Sequence, residues 1–259
     1  MVFVIPAYNE ERTILDVLRR VDPFAAIVIV IDDGSRDGSR QLVAGWCRSH
    51  PNVALLAHDR NRGMADALLS GFAYVLDLWR KGRLAADDVV VTIDADGQHL
   101  PEECVLARRF MDERGLDVVL ARRDLSGYPR VKRLGNWGLS LWASMLSGYR
   151  FRDVECGLRL LRVGVLADIL PYYAGRNYGC AQELGILPVL RGWRLDNTFR
   201  IGVAYYRKGA RLRDGVNNLL SGLFAFARVT FGLRRRGTVR AAYRVLVPPR
   251  PPEARSLPL

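Results

Sequence analysis

The sequence predicts an α/β protein built around a mostly parallel sheet. In the first 121 residues, five short apolar runs alternate with stretches whose apolar residues recur at helical spacing. Strands that alternate with helices in this way indicate right-handed βαβ units. Two of the runs end in acidic turns, which is where an open α/β sheet places its ligands. The predicted strands cover residues 2–5, 27–31, 53–57, 89–93 and 118–121.

The intervening stretches predict helices, and the alternation changes after residue 122. Apolar residues at helical spacing lie near 14–18 and 42–46 and over 64–78, 101–114, 131–146, 163–169 and 180–191. Pro101 suits a first helical turn, where its missing N–H is not needed. A short strand is expected before 163, and residues 198–206 alternate as a strand does.

Composition bounds the class of protein. With 259 residues, 49% of them hydrophobic, the chain can bury one large domain or one domain with an appendage. The four cysteines form no Cys-x-x-Cys pair, so we expect reduced, buried thiols rather than a zinc site or disulfide frame. The first apolar segment is too short for a signal peptide, and no run reaches the length of a membrane span.

The positive charge is concentrated at the C-terminus. Of the net +12, residues 207–259 contribute 12 Lys/Arg against only Asp214 and Glu253. A basic tail favours an anionic partner, and a membrane surface is preferred because zinc-finger spacing and RNP-type motifs are absent from the sequence. Residues 219–233 are apolar and bracketed by arginines, which predicts either a helix docked on the core or a helix lying in a membrane surface. Residues 241–259 are expected to be disordered.

The segment Asp-Ala-Asp-Gly-Gln-His at 94–99 follows a predicted buried strand. Alternate residues of an extended chain point the same way, so Asp94, Asp96 and Gln98 are expected to converge. Two carboxylates and an amide oxygen suit Mg²⁺ or Mn²⁺. A solvated turn is the simpler alternative.

Several motifs occur in a characteristic order. They are Pro-Ala-Tyr-Asn-Glu-Glu at 6–11, Asp-Asp-Gly-Ser-Arg-Asp at 32–37, Asn-Arg-Gly-Met-Ala-Asp-Ala at 61–67, the 94–99 segment, Arg-Leu-Gly-Asn at 133–136 and Asp-Val-Glu-Cys-Gly-Leu-Arg at 153–159. Residues 1–162 thereby resemble the family 2 glycosyltransferases, in the branch of dolichyl- and polyprenyl-phosphate sugar transferases. The resemblance implies a GT-A (Rossmann-like) fold, a nucleoside diphosphate sugar donor and a divalent cation.

The resemblance also implies roles for individual residues. On the donor side it assigns nucleotide contacts to Pro6, Tyr8, Glu10, Asp32 and Asp33. Asp94 and Asp96, with Gln98, hold the metal against the diphosphate. Arg122 and Arg123, which follow the fifth predicted strand, are expected to assist as phosphate clamps. Phosphate-binding and acceptor positions are assigned to Arg133, Arg207, Asn136, Asp153 and Glu183. Glu183 either contacts acceptor or sugar, or caps a helix.

We therefore expect a metal-dependent, inverting transfer of a sugar from GDP-mannose or a UDP-hexose to a polyprenyl phosphate. A phosphate acceptor needs no general base, because its second pKa lies near 6. The alternatives are transfer to a hydroxyl, for which Glu183 or Asp153 would be the base, and a non-catalytic nucleotide-sugar-binding protein. The expected organisation is a catalytic domain over 1–210, basic amphipathic helices over 211–240, and a peripheral position at the cytoplasmic face of the membrane.

Overall fold

The structure is a computed structural model, which describes residues 1–175, 179–202, 212–233 and 243–249. The strands are β1 Val2–Ala7, β2 Ile27–Asp32, β3 Val53–Ala57, β4 Val89–Thr92, β5 Val118–Leu120, β6 Arg122–Arg123, β7 Arg159–Arg162, β8 Leu195–Asp196, β9 Arg200–Ile201 and β10 Arg244–Val247. The helices are α1 Ile14–Val21, α2 Ser39–Ser49, α3 Met64–Arg80, α4 Pro101–Glu113, α5 Arg130–Ser147, α6 Val163–Ile169, α7 Cys180–Leu190 and α8 Leu212–Thr230. Short 3₁₀ turns lie at Asp22–Phe24 and Leu170–Tyr172.

The main sheet has eight strands in the order β10-β3-β2-β1-β4-β7-β5-β8. Its centre, β3-β2-β1-β4, is parallel, as the sequence predicts. The short strand β7 lies between β4 and β5 and is antiparallel to both. The carboxyl ends of β1, β2, β4 and β5 therefore share one edge of the sheet, and β6 and β9 form a small second sheet just beyond it. The predicted α/β class is confirmed.

Helices cover both faces of the sheet, which explains the unbroken apolar runs of its central strands. All six residues of β1 and of β2 are buried. On one face α3 packs so closely that a Cβ at Gly71 would lie 2.5 Å from Val4 Cγ1 and 2.9 Å from Ile31 Cδ1. A glycine at this position is therefore required for the contact between helix and sheet. The four cysteines are buried and unbridged, as expected.

The C-terminal helix α8 packs against α5 and α7 rather than extending away from the domain. Trp142 Nε1 on α5 donates a hydrogen bond to the backbone O of Leu219 on α8, at 3.0 Å. No helix in the described part of the chain is long and apolar enough to cross a membrane.

The expectation of disorder from residue 241 onward is wrong for one segment. Arg244–Val247 forms β10, which pairs antiparallel with β3 and covers that edge of the sheet. The flanking prolines and arginines predict disorder and obscure the short apolar run of this strand. The strand also depends on pairing with β3, nearly 190 residues earlier in the chain. Of the predicted strand over 198–206, Arg200–Ile201 forms β9, whereas residues 203–206 and residues 250–259 lie outside the described residues.

Candidate active site

The acidic turn after β4 lies at the carboxyl edge of the sheet. Asp96 Oδ1 accepts a hydrogen bond from the backbone N–H of Gln98 at 3.0 Å. Asp96 Oδ2 accepts a second from Gln98 Nε2 at 2.8 Å. The turn reverses through Gly97, whose φ of +78° favours glycine. The Gln98 side chain thus supports Asp96 in this structure, which differs from its predicted role as a third metal ligand.

The two carboxylates of this turn influence each other. Burial raises the pKa of Asp96, and the charge of Asp94 raises it further. Behind Asp94 the protein is tightly packed, because a Cβ at Gly157 would lie 2.6 Å from Asp94 Oδ2 and 3.0 Å from His99 Cε1. Buried His99 lies under the turn, and its Nδ1 accepts a hydrogen bond from the backbone N–H of Asp94 at 3.4 Å. The turn therefore holds two mutually repelling acids at a partly exposed edge.

A divalent cation fits this pair. The described residues contain no cluster of three His, Cys, Asp or Glu side chains that could enclose a metal. Mg²⁺ commonly uses one or two carboxylates and takes its other ligands from water and substrate phosphates. Asp94 and Asp96 supply that kind of donor set, and a cation between them would offset the repulsion that raises the pKa of Asp96.

The loop after β1 is attached to the turn after β2. Its residue Asn9, at a φ of 56°, accepts a hydrogen bond from the Arg36 backbone N–H at 2.8 Å. The backbone N–H of Glu10 donates to Ser39 Oγ at 2.8 Å. Tyr8 is exposed and stands at the same edge as the acidic turn. Tyr8 and Glu10 thus lie where a nucleotide at this edge could contact them.

Pro6 and Asp32 belong to the strands themselves. Pro6 is buried within β1, in register with Ile31 of β2. Asp32 is buried at the end of β2, where its Oδ2 accepts a hydrogen bond from Arg40 Nε at 2.6 Å. The same arginine donates to the backbone O of His58 at 2.9 Å. Asp32 therefore joins β2, α2 and the end of β3, and its carboxylate has little exposed surface to offer a nucleotide.

Asp33 has a structural environment that the sequence did not reveal. Its Oδ1 lies 2.6 Å from His58 Nδ1, and the other nitrogen of that buried ring lies 2.8 Å from Ser70 Oγ. The backbone N–H groups of Arg62 and Gly63 donate to the two Asp33 oxygens at 2.9 and 2.8 Å. The carboxylate thus fixes the loop that begins α3, a role that competes with the predicted direct contact to a nucleotide.

Arg123 and Asp153 form a buried ion pair. Arg123 Nε donates to Asp153 Oδ2 and Arg123 Nη2 donates to Asp153 Oδ1, both at 2.8 Å. Nη2 also lies 3.4 Å from Asn136 Oδ1. The structure thus brings together three predicted site residues, but they form hydrogen bonds with one another. Asp153 is not suited to act as a general base, and Arg123 is not free to clamp a phosphate alone.

An arginine-lined pocket of about 300 Å³ lies beside this pair. We call it the arginine pocket; its cationic walls, apart from Arg123, are Arg122, Arg133, Arg152 and Arg200. Besides Asp153, the pocket wall contains one further acid, Asp124, which is exposed. The predicted residue Arg133 is therefore in a suitable position for a phosphate, whereas Arg207 lies outside the described residues.

The arginine pocket is connected to the acidic turn by one loop. Asp153 lines the pocket and Gly157 contacts Asp94, so the two regions are joined by four residues. Four extended residues span at most about 14 Å. The Asp153 wall of the arginine pocket therefore lies within about 14 Å of Gly157, which packs against Asp94.

Glu155, within this loop, is the centre of a second polar cluster. Its carboxylate accepts hydrogen bonds from Gln182 Nε2 on α7 at 3.2 Å and from Asn218 Nδ2 on α8 at 2.8 Å. Burial raises the pKa of Glu155 to about 7, and the buried guanidinium of Arg159 opposes part of that rise. The cluster ties the C-terminal helix to the loop behind Asp94.

Glu183 is buried on α7, where its Oε2 makes local contacts and its Oε1 has no hydrogen-bond partner among the described residues. Its Oε2 accepts hydrogen bonds from the backbone N–H groups of Ala174 at 2.7 Å and Gly175 at 3.3 Å. Arg228 on α8 lies 3.6 Å away. Burial raises the pKa of the Glu183 carboxyl. Of the two roles left open for Glu183, these contacts favour the structural one.

Three functional candidates were missed by the sequence reasoning. Arg152 and Arg200 come from separate elements, and no motif signals that they share a pocket with Arg133. Glu155 lies within the motif at 153–159, and its acidic side chain there is the sequence feature that could have marked it as a candidate.

The fold and the acidic turn together define a glycosyltransferase of the GT-A type. The chain belongs to the family named Glycosyl transferase family 2, whose model matches residues 2–160. That match covers every strand from β1 to the start of β7 and all six motifs, but not Glu183 or Arg200.

Two curated relatives illustrate the similarity. An undecaprenyl-phosphate mannosyltransferase of Micrococcus luteus is 30% identical over 201 residues, covering 74% of this chain and 79% of the relative. A UDP-N-acetylglucosamine–dolichyl-phosphate N-acetylglucosaminyltransferase of Methanococcus voltae is 26% identical over 202 residues, covering 71% of this chain and 78% of the relative.

Solved structures support the fold. The glucosyl-3-phosphoglycerate synthase of Mycobacterium tuberculosis, in complex with uridine diphosphate, superimposes with a TM-score of 0.65 at 20% identity. The superposition covers 96% of this chain and 89% of that one. The mannosyl-3-phosphoglycerate synthase of Rubrobacter xylanophilus gives a TM-score of 0.62 at 17% identity, over 89% of this chain and 74% of that chain.

Proposed function

We propose that this glycosyltransferase moves a sugar from a nucleoside diphosphate sugar to the phosphate of a polyprenyl phosphate, with inversion at the anomeric carbon. The observation that carries the proposal is the arginine pocket beside the acidic turn. One region is suited to a metal-bound diphosphate and the adjoining region to a second phosphate. The Micrococcus and Methanococcus relatives are named as transferases acting on undecaprenyl phosphate and dolichyl phosphate, which supports a lipid phosphate as the acceptor.

On the donor side, Asp94 and Asp96 would hold Mg²⁺ or Mn²⁺. The cation, when bound, offsets charge that develops on the departing nucleoside diphosphate. Tyr8 offers an exposed ring against which a base can stack, and Glu10 lies in the same loop. Asp32 and Asp33 contribute by fixing the turns around the nucleotide position. The donor nucleotide is proposed to be GDP or UDP.

On the acceptor side, Arg122, Arg133, Arg152 and Arg200 surround a space suited to a phosphate. Charge-assisted hydrogen bonds from guanidinium groups are strong and bidentate, so they can orient one phosphate oxygen toward the sugar. The phosphate is largely dianionic at neutral pH and needs no proton removed. This agrees with the occupied state of Asp153 and Glu183, the two acids considered as bases.

A hydroxyl acceptor is the alternative, with Glu155 as the base, and it would require the Glu155 carboxylate to give up a hydrogen bond from Gln182 or Asn218. A pKa of about 7 suits a general base, and Glu155 lies two residues from Gly157, which packs on Asp94. For a hydroxyl acceptor, Glu155→Gln should abolish transfer. For a phosphate acceptor, the same variant should retain it.

The proposal is tested by incubating the purified enzyme with Mn²⁺, a polyprenyl phosphate and one radiolabelled GDP- or UDP-sugar at a time. We expect label in the organic phase with one donor, and its loss on adding EDTA. Measurable donor binding without organic-phase label for any donor would contradict the lipid acceptor. Label that persists in EDTA would contradict the metal assignment.

A further inference from the structure

The loop over residues 153–157 contacts both parts of the candidate active site. Its first residue, Asp153, lines the arginine pocket. At its last residue, the Gly157 backbone O accepts a hydrogen bond from Thr92 Oγ1 at 2.7 Å. A Cβ at Gly157 would lie 2.6 Å from Asp94 Oδ2, which is closer than a real side chain could come. The position of this loop therefore limits the space that the Asp94 carboxylate can occupy.

The middle residue of the loop, Glu155, is held by two helices that come later in the chain. Asn218 Nδ2 on α8 donates a hydrogen bond to Glu155 Oε2 at 2.8 Å. Gln182 Nε2 on α7 donates to Glu155 Oε1 at 3.2 Å. The same Gln182 nitrogen lies 3.3 Å from the backbone O of Leu139 on α5. The position of the loop thus depends on where α7 and α8 are docked.

Polar groups make these contacts in a place where apolar packing would be the simpler solution. Gln182 and Asn218 are at most 1% exposed. Gln182 Oε1, Asn218 Oδ1 and Arg159 Nε are buried without a hydrogen-bond partner among the described residues. Burying polar atoms without partners lowers stability, whereas a hydrogen bond fixes both distance and direction. Placement of the loop therefore explains this cluster better than stability of the helix packing does.

The C-terminal helix is closely docked on α7 around the Glu155 contact. A Cβ at Gly179, just before α7, would overlap Ser221 Oγ on α8. A Cβ at Gly222 on α8 would lie 3.3 Å from Ile186 Cδ1 on α7. Close approach at these two glycines leaves α8 little room to shift along α7. Asn218, one turn earlier on α8, therefore presents its amide at a fixed place.

We infer that Asn218 and Glu155 are positioning residues for the proposed cation site, through which the docked C-terminal helix holds the loop that supports Asp94. The inference rests on the proposed function, because a cation is the group that Asp94 and Asp96 would hold. The two residues act through the loop and not by contact with the cation. Loss of their hydrogen bond should release the loop, let the Asp94 carboxylate move relative to Asp96, and weaken cation binding.

Hydrogen exchange measured by mass spectrometry tests this coupling without a cation or a substrate. In Asn218→Ala, amides of the 94–99 turn and the 153–157 loop should exchange about fivefold faster relative to those of β1, the equivalent of one lost hydrogen bond. Amides of β1 report global unfolding and correct for it. Asn217→Ala is the matched control, because Asn217 is the neighbouring residue on α8 and is exposed. Faster exchange confined to α8, or an equal effect in the control, would overturn the inference.

A second variant separates this contact from general loosening of α8. Trp142→Phe removes the hydrogen bond from Trp142 Nε1 to the backbone O of Leu219 and leaves Asn218 and Glu155 in place. Exchange in the 94–99 turn should then stay as in the wild type. An effect as large as that of Asn218→Ala would show that any loosening of α8 reaches the turn, and would contradict a particular role for Asn218 and Glu155.

Manganese binding connects the contact to the cation site. Titration of the protein with Mn²⁺ alone, followed by loss of the free-ion EPR signal, should give about fivefold weaker binding for Asn218→Ala. Glu155→Ala should have the same effect, and the double variant should add little, because either change removes the same contact. Glu155→Gln should retain wild-type affinity, because its oxygen can still accept from Asn218. Its NH₂ group can donate to the unpartnered Gln182 Oε1 once that amide rotates.

These measurements involve no sugar transfer, so the two proposals can fail separately. A wild type that binds Mn²⁺ neither alone nor with UDP or GDP would contradict the metal assignment of the proposed function, while hydrogen exchange would still decide the coupling. A wild type that binds Mn²⁺, with unaltered affinity in both Asn218→Ala and Glu155→Ala, would overturn the positioning role.

Discussion

Arg123 and Asp153 face each other through two parallel hydrogen bonds of 2.8 Å, and the Asp153 side chain is only 1% exposed. Both residues line the arginine pocket, and Asp153 begins the loop that reaches Asp94 through Gly157. Removing Asp153 would leave the Arg123 guanidinium, whose side chain is 19% exposed, without its ion-pair partner, and breaking a buried pair typically costs about 3–5 kcal/mol.

We therefore predict that Asp153→Ala lowers the free energy of unfolding by about 3 kcal/mol, measured by urea denaturation. The matched control is Asp77→Ala, which breaks the exposed Lys81–Asp77 pair and should cost less than about 1 kcal/mol. Similar losses in the two variants would mean that the Arg123–Asp153 pair is not a structural element.

Asp96→Asn should separate catalysis from stability. The neutral amide removes a carboxylate whose pKa is raised by burial and by Asp94, so the free energy of unfolding should stay the same or rise. Transfer should fall about 100-fold or more, because the charge that holds the cation is lost. Asp59→Asn, on an exposed side chain, is the control. Near-normal turnover by Asp96→Asn would contradict the metal assignment.

The arginine pocket should act on the acceptor alone. Arg152→Ala and Arg200→Ala should each raise KM for the polyprenyl phosphate about tenfold, because one charge-assisted contact is lost, while KM for the donor changes little. Steady-state kinetics with each substrate varied in turn measures this difference. Arg48→Ala on α2, an exposed arginine outside the pocket, should leave both constants unaltered. An equal rise in both KM values would argue against an acceptor phosphate in the pocket.

Glu155 should make stability depend on pH in a definite direction. Its pKa is raised from 4.5 to about 7 on folding, so the folded state holds the proton more tightly than the unfolded state. The free energy of unfolding should therefore decrease as pH rises from 4.5 to about 7, and this loss should level off above 7. Glu155→Gln cannot ionise and should lack this component.

The difference between the Glu155→Gln and wild-type unfolding free energies, measured at several pH values, isolates that component. It should increase between pH 5 and 7 in favour of the variant. Glu113→Gln, at an exposed position, supplies the control curve. A difference that is flat across this range would show that the Glu155 carboxyl is not held protonated by the fold.

The sequence predicts well the central strands of the sheet and the site residues that directly follow a strand. The apolar runs identify β1 to β5 because these strands are buried on both faces, and a strand end positions Asp94 and Asp96 directly. The family motifs add the class of enzyme, which the family match confirms.

Contacts between distant residues account for what the sequence did not show. In the sequence Asp33 is typical of a ligand-binding residue, but in the fold it contacts His58 and the start of α3. The sequence gives no sign that Asp153 is paired, but in the fold it forms an ion pair with Arg123. Arg200 approaches Arg122 only because β9 pairs with β6. Each partner lies at least 25 residues away along the chain, beyond the range of any local pattern.

The most direct test of the proposed reaction is ³¹P NMR of the product formed when the enzyme is incubated with Mn²⁺, the active donor and polyprenyl phosphate. Transfer to the lipid phosphate converts a phosphomonoester into a phosphodiester, so we predict that the monoester resonance is replaced by a diester resonance. A parallel reaction with polyprenol, which lacks the phosphate, should give no product. A monoester that persists while sugar is transferred, or equal transfer to polyprenol, would show that the acceptor is a hydroxyl and would contradict the role proposed for the arginine pocket.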